Sequence, residues 1–89
     1  MSTPTKVAIS FGLPRISDVI IEVSDTTGQR VRLLVTGTHS AGEYTVEWDG
    51  RTDGGHIASD GVYRVRLTAN AAGGRTFIQS RLITLQRHH

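Results

Sequence analysis

Apolar and polar residues alternate along most of the chain with a period of two, and turn residues break the alternation at fairly regular intervals. A period of two sends successive side chains to opposite faces of a strand, so each unbroken run predicts a strand with one apolar face. Val7, Ile9, Phe11 and Leu13 form the first apolar row, and Pro14, which lacks a backbone donor, predicts its end. Val19, Ile21 and Val23 form the second, with Glu22 and Ser24 outward. The segment DTTGQ from Asp25 to Gln29 then predicts a tight hairpin turn, Gly28 supplying a positive φ and Asp25 a side-chain acceptor. Val31, Leu33 and Val35 make the third row, with Arg32 outward.

A polar loop from Thr36 to Glu43 leads to Tyr44, Val46 and Trp48, and a longer glycine-rich loop separates these from Tyr63, Val65, Leu67 and Ala69. NAAGG, Asn70 to Gly74, predicts another hairpin turn. From Thr76 to Gln86 the alternation slips: Phe77 has one parity, Ile78 and Leu82 the other, and Ile83 and Leu85 return to the first. One extra residue near Arg81 would account for the slip, so a β-bulge or a change of sheet is expected there.

No window carries the apolar spacing of three and four residues that a helix needs, so the chain is read as all-β, with about seven short strands. Strands with one apolar face bury it by packing sheet on sheet, which predicts an antiparallel Ig-like or fibronectin-III-like sandwich, with a barrel as the alternative closure. The 89 residues suit one domain, taken as residues 6–87, after a tail of residues 1–5. His88 and His89 are read as the remnant of a purification tag. With no cysteine there is no disulfide framework to hold so small a core. No apolar run reaches the ~18–20 residues that span a bilayer, and MSTPTKVAIS lacks the apolar core of a signal peptide, so no membrane insertion is expected. The net charge is +2, and nine arginines with a single lysine, Lys6, are scattered along the chain without clustering. Nucleic acid is therefore not an expected partner.

The long loop VEWDGRTDGGHIASDGVY, Val46 to Tyr63, is where chemistry has to be weighed. Asp49, Asp53, Gly54 and Asp60 occupy the first, fifth, sixth and twelfth positions of an EF-hand-type calcium loop. Arg51 stands at the third position, a permanent cation that cannot ligate a metal, and strands rather than helices flank the loop. These carboxylates are accordingly read as turn residues, with a calcium-binding module using Asp49 to Asp60 as the weaker alternative. In the turn reading Asp49 accepts backbone N–H groups beside Gly50, Gly54 and Gly55 allow the tip, and Gly61 sets the entry to the next strand. Trp48 and Tyr63 then anchor the two ends of the loop in the core. His39 and Ser40 are adjacent and project in opposite directions on extended backbone, so they are poorly placed as base and nucleophile. His39 and His56 lie on separate loops, and no glycine-rich phosphate cradle opens a helix. Neither an enzyme nor a cofactor is expected.

Five short motifs together resemble a known family. They are F-G-L-P (Phe11 to Pro14), D-T-T-G (Asp25 to Gly28), V-R-L-L (Val31 to Leu34), A-G-E-Y-T-V-E-W-D-G (Ala41 to Gly50) and G-V-Y (Gly61 to Tyr63). Their order and spacing over Lys6 to Ala71 are similar to the FlgD-type Ig-like domain, first described in the flagellar hook-capping protein. In this reading Trp48, Asp49, Gly50, Gly61, Tyr63, Asp25 and Gly28 are the structural signature. The pattern is also similar to the C-terminal sorting domains of bacterial proteins exported by the type IX route. RLITLQR, Arg81 to Arg87, is like their ending, although Thr84 and Gln86 depart from it. The resemblance implies a non-catalytic accessory module of a larger bacterial protein, serving as a sorting, anchoring or spacer domain located at the cell surface or outside the cell. Its expected partners are proteins: secretion or assembly machinery and neighbouring domains. The alternative it implies is a self-associating structural subunit or scaffold, as in a hook cap or filament, forming homo-oligomers through edge strands.

Overall fold

The computed structural model describes residues 6–71 and 73–86. They form six strands: β1 (Val7–Leu13), β2 (Ser17–Ser24), β3 (Arg30–His39), β4 (Gly42–Trp48), β5 (Gly61–Ala71) and β6 (Thr76–Leu85). Every pairing is antiparallel, β1 with β4 in one sheet and the order β3-β2-β5-β6 in the other. The two sheets stack as an Ig-like sandwich, because each carries its apolar row on one face. The expected tail of residues 1–5 and the residues read as a tag remnant lie outside the described residues.

The inner face is the one the alternation predicts. Val19, Ile21 and Val23 of β2 and Trp48 and Leu85 are fully buried. Tyr63, Val65, Leu67 and Ala69 of β5 line the same face beside β2, and Ile9, Phe11 and Leu13 of β1 close the core from the opposite sheet. Burying each of the large aliphatic side chains contributes ~1.5–3 kcal/mol, and the paired main chain of β2 and β5 keeps their backbone polar groups satisfied. Among the described residues no buried side-chain nitrogen or oxygen lacks a hydrogen-bond partner.

The six strands are close to the number expected and divide two against four. Three expectations need correction. The bulge foreseen near Arg81 is absent: β6 pairs with β5 without a break from Gly61↔Leu85 to Asn70↔Thr76. The slip in its alternation arises because β6 is an edge strand that exposes apolar residues on both faces, with Phe77, Ile78 and Leu82 all more than half exposed. The bulges fall instead in β3, where the register against β2 shifts between Ile21 and Glu22 and again between Val23 and Ser24. Each inserts one residue and reverses the parity beyond it, so Val31, Leu34 and Val35 pack on the core where Val31, Leu33 and Val35 were expected. Finally, most of the predicted polar loop of Thr36 to Glu43 is strand. Thr36, Gly37 and Thr38 pair with Ile20, Val19 and Asp18, since an edge strand can carry polar residues as long as its main chain is paired.

Candidate functional site

The loop between β4 and β5 starts from a fixed point, because Trp48 is fully buried and donates its indole N–H to the Arg51 carbonyl at 2.9 Å. Its ring meets Tyr63 edge to face, centroids 5.2 Å apart. Asp49 accepts the Arg51 N–H at 3.0 Å through Oδ1, an Asx turn that bends the chain away from the sheet. Gly50 completes the bend at φ 77°, a left-handed conformation that costs a side-chain-bearing residue strain. The chain then folds back on itself. Thr52 donates to the His56 carbonyl at 2.7 Å, Ala58 donates to that of Gly50 at 2.8 Å, and Arg51 bridges to Ile57 as a miniature hairpin. The Arg51 guanidinium donates to the Gly55 carbonyl at 3.1 Å across the tip.

Asp53 ties this hairpin to β3. Its backbone N–H donates to the Val31 carbonyl at 2.9 Å, and its Oδ1 accepts the Leu33 N–H at 2.9 Å. The loop thus gives the outer edge of β3 one donor and one acceptor, in the manner of a short added strand. Arg30 Nε lies 3.3 Å from Asp53 Oδ2, and Arg32 donates to the Thr52 carbonyl at 3.3 Å and approaches Asp49 Oδ1 at 3.9 Å. All these ion-pair groups are partly exposed, so the charges add little beyond the hydrogen bonds. Of the three carboxylates weighed as calcium ligands, Asp49 and Asp53 thus spend oxygens on backbone N–H groups and arginines, and Asp60 lies exposed at the far end of the loop. Among the described residues no group of three or more His, Asp or Glu is arranged to hold a metal ion.

The other signature residues are structural in the same sense. Tyr63 donates its hydroxyl to the Ser59 carbonyl at 2.5 Å, four residues back, and Tyr44 does likewise to Ser40 at 2.6 Å. The first is the tyrosine corner of Ig-like sandwiches, at the start of β5. Tyr44 also stacks on Phe11 and receives His39 at its edge. His39 Nδ1 is 3.2 Å from the Gly37 carbonyl, and Ser40 gives its carbonyl to Tyr44, so the adjacent pair serves the turn into β4.

In the β2–β3 turn, Asp25 Oδ1 accepts from the Thr27 hydroxyl at 2.6 Å, the Thr27 N–H at 2.9 Å and the Gln29 N–H at 3.0 Å, with Gly28 at φ 92°. Chiefly through the Thr27 hydroxyl, and against a smaller desolvation effect, these donors hold the Asp25 carboxyl below its usual 3.8. A carboxyl whose pKa is lower folded than unfolded stabilises above the unfolded value and loses that contribution as pH falls through the folded one. Asp25→Asn is therefore expected to lower Tm at neutral pH, and the gap to the parent chain should shrink as pH drops below 3.8. A gap independent of pH would show that the charge is not what the turn uses.

Arg30 and Arg32 are the participants that the sequence did not reveal. They partner the loop only because the bulges turn β3 toward it, and a period of two carries no sign of that. No helix among the described residues is long and apolar enough to cross a membrane.

A six-stranded antiparallel sandwich with a tyrosine corner, a buried tryptophan and a tethered loop is an Ig-like β-sandwich domain. The FlgD Ig-like domain family matches residues 2–73, and the chain belongs to that family. It is 33% identical over 61 residues to the basal-body rod modification protein FlgD of Salmonella typhimurium, a span of 68% of this chain and 26% of that one. The same figures hold for the Salmonella typhi protein. The chain thus spans about a quarter of the length of the curated relatives it matches. Among solved structures, FlgD from P. aeruginosa superposes with a TM-score of 0.73 and 27% identity, covering 90% of this chain and 62% of that one. FlgD from Xanthomonas campestris, described as a hook-capping protein essential for flagellar assembly, has a TM-score of 0.73 and 21% identity, covering 91% and 59%. At that identity it speaks for the fold alone.

These relatives correct one expectation. The relatives named for basal-body rod modification belong to flagellar assembly, which overturns the location expected here, that of a bacterial module sorted to the cell surface or outside the cell. None of the relatives named above is a type IX sorting domain, so that resemblance gains no support from them.

Proposed function

We propose that the chain is a non-catalytic structural module of flagellar hook-cap type, a scaffold that assembles with protein partners through its strand edges. Membership of the FlgD Ig-like family carries this reading. The structure supports it in one further respect: the residues that chemistry could have recruited, Asp49, Asp53, His39 and Ser40, are engaged in turns and edges. Between a self-associating subunit and a scaffold for other proteins, charge favours the scaffold. Scattered along the sequence, Arg64, Arg66, Arg75 and Arg81 are put into one hairpin by the β5–β6 pairing, with no carboxylate between Gly61 and Leu85, so two such hairpins repel. Cells deprived of the gene for this chain are expected to lose assembled hooks and swimming motility, scored by electron microscopy and soft-agar spreading. Normal hooks in the deletion strain would overturn the reading.

A further inference from the structure

Two strands face four, so the smaller sheet leaves part of the larger one uncovered. Directly opposed residues of an antiparallel pair share a face. Ile83, Arg81, Gln79 and Phe77 of β6 stand opposite Tyr63, Val65, Leu67 and Ala69 of β5, which are buried, so these β6 residues belong to the inner face. Yet Phe77 is 51% exposed, and Gln79 and Arg81 are exposed beside it. Between β1 and β6 the sandwich is open along a slot floored by Ile9, Phe11, Ile21, Val65 and Leu67, with Arg81 at its rim.

The strand on the other side of that slot is unguarded. Among the described residues β1 pairs only with β4, and from Val7 to Leu13 it has no charge, no proline and no bulge. Sheet edges are ordinarily blunted by such devices, and one that lacks them accepts a further strand. The contrast lies within the same molecule. The β3 edge is bulged and plugged by Asp53, and β4 carries Glu43 and Glu47.

We propose that the outer edge of β1 is a strand-addition site for an extended segment of a partner protein, apolar at alternate positions, with a carboxylate facing Arg81. The added strand would lie over the inner face of β6, turn the two-against-four sandwich into three against four, and cover Phe77. Charge selects the occupant. Arg81, the arginine of the inner face, forms no ion pair with a carboxylate among the described residues, so an acidic strand is favoured and a second copy of β6, which carries the same cation, is not. The inference deepens the scaffold reading and takes from it only that the partner is a protein.

The test is a titration of the labelled chain with a synthetic peptide as long as β1, valine alternating with threonine, one valine replaced by glutamate, followed by NMR and amide exchange. Amides of β1 and of inner-face β6 residues are expected to shift, and those of β1 to become protected. A peptide with lysine in place of the glutamate is expected to bind about tenfold more weakly, and Arg81→Glu, a change at an exposed position, to reverse that order. Absence of shifts at β1, binding centred on Ile78 and Leu82 of the outer β6 face, or no preference between the peptides would each overturn the proposal. So would protection of β1 that appears without peptide as protein concentration rises, which assigns the edge to a second copy. If the peptide fails while the deletion strain still loses its hooks, the slot is refuted and the scaffold reading stands. If the peptide binds and the deletion strain keeps its hooks, the reverse holds.

Discussion

Replacing Trp48 with alanine is expected to cost about 3–5 kcal/mol of folding stability, the range for emptying a large aromatic site in a packed core. The side chain is fully buried, so the cavity opens at the centre of the sandwich, and the Tyr63 ring loses the partner it meets edge to face. The indole N–H also fixes the Arg51 carbonyl at 2.9 Å, so the first bend of the long loop loosens together with the core. A domain of this size has about 5–13 kcal/mol of stability in all, so the variant should be largely unfolded at modest denaturant. Urea unfolding followed by far-UV circular dichroism measures the effect. Trp48→Phe keeps most of the buried ring and gives up the N–H bond, and should fall between the parent chain and alanine. A denaturation midpoint for Trp48→Ala within error of the parent would mean that the core does not rest on this residue.

The reach of sequence reasoning follows from which forces a period of two records. Alternation reports burial on one face, and so the inner rows of β1, β2 and β5 were readable: Ile9, Phe11 and Leu13, then Val19, Ile21 and Val23, then Tyr63, Val65, Leu67 and Ala69 are buried as the pattern predicts. It fails where the backbone inserts a residue or where an edge escapes burial. In β3 two bulges shift the parity, and nothing in VRLLV distinguishes an inward Leu33 from an inward Leu34. In β6 the same mixed pattern that suggested a bulge belongs to an unbroken strand whose Phe77, Ile78 and Leu82 reach solvent. The division of the strands between the sheets has the same root. Sequence shows that each strand has an apolar face, and it does not show how many strands cover each sheet, so the slot beside β1 became visible only with the two-against-four division. At the long loop, the local bend is made where Asp49 and Gly50 suggested a turn, with Asp49 accepting the Arg51 N–H. The role of Asp53 depended on a strand twenty residues away, and no local rule reports that.

Removing that contact is the second large effect expected. Asp53→Ala deletes the acceptor of the Leu33 N–H and the partner of Arg30, and it should cost about 1–2 kcal/mol, the scale of a charge-assisted hydrogen bond at a partly exposed site. The backbone N–H of Asp53 can still reach the Val31 carbonyl, so the loop should loosen rather than detach. Asp53→Asn retains an oxygen for Leu33 and loses the charge opposite Arg30; because exposed ion pairs contribute little, it should recover more than half of the lost stability. The readout that separates this mechanism from general weakening is local. In Asp53→Ala the Leu33 amide should exchange markedly faster, while the Ile21 amide in the fully buried centre of β2 slows or quickens only with global stability. The exposed β3 edge should also raise self-association in sedimentation, since an unplugged edge offers its N–H and C=O groups to another strand. Unchanged Leu33 exchange in a destabilised Asp53→Ala variant would show that the loop does not guard this edge.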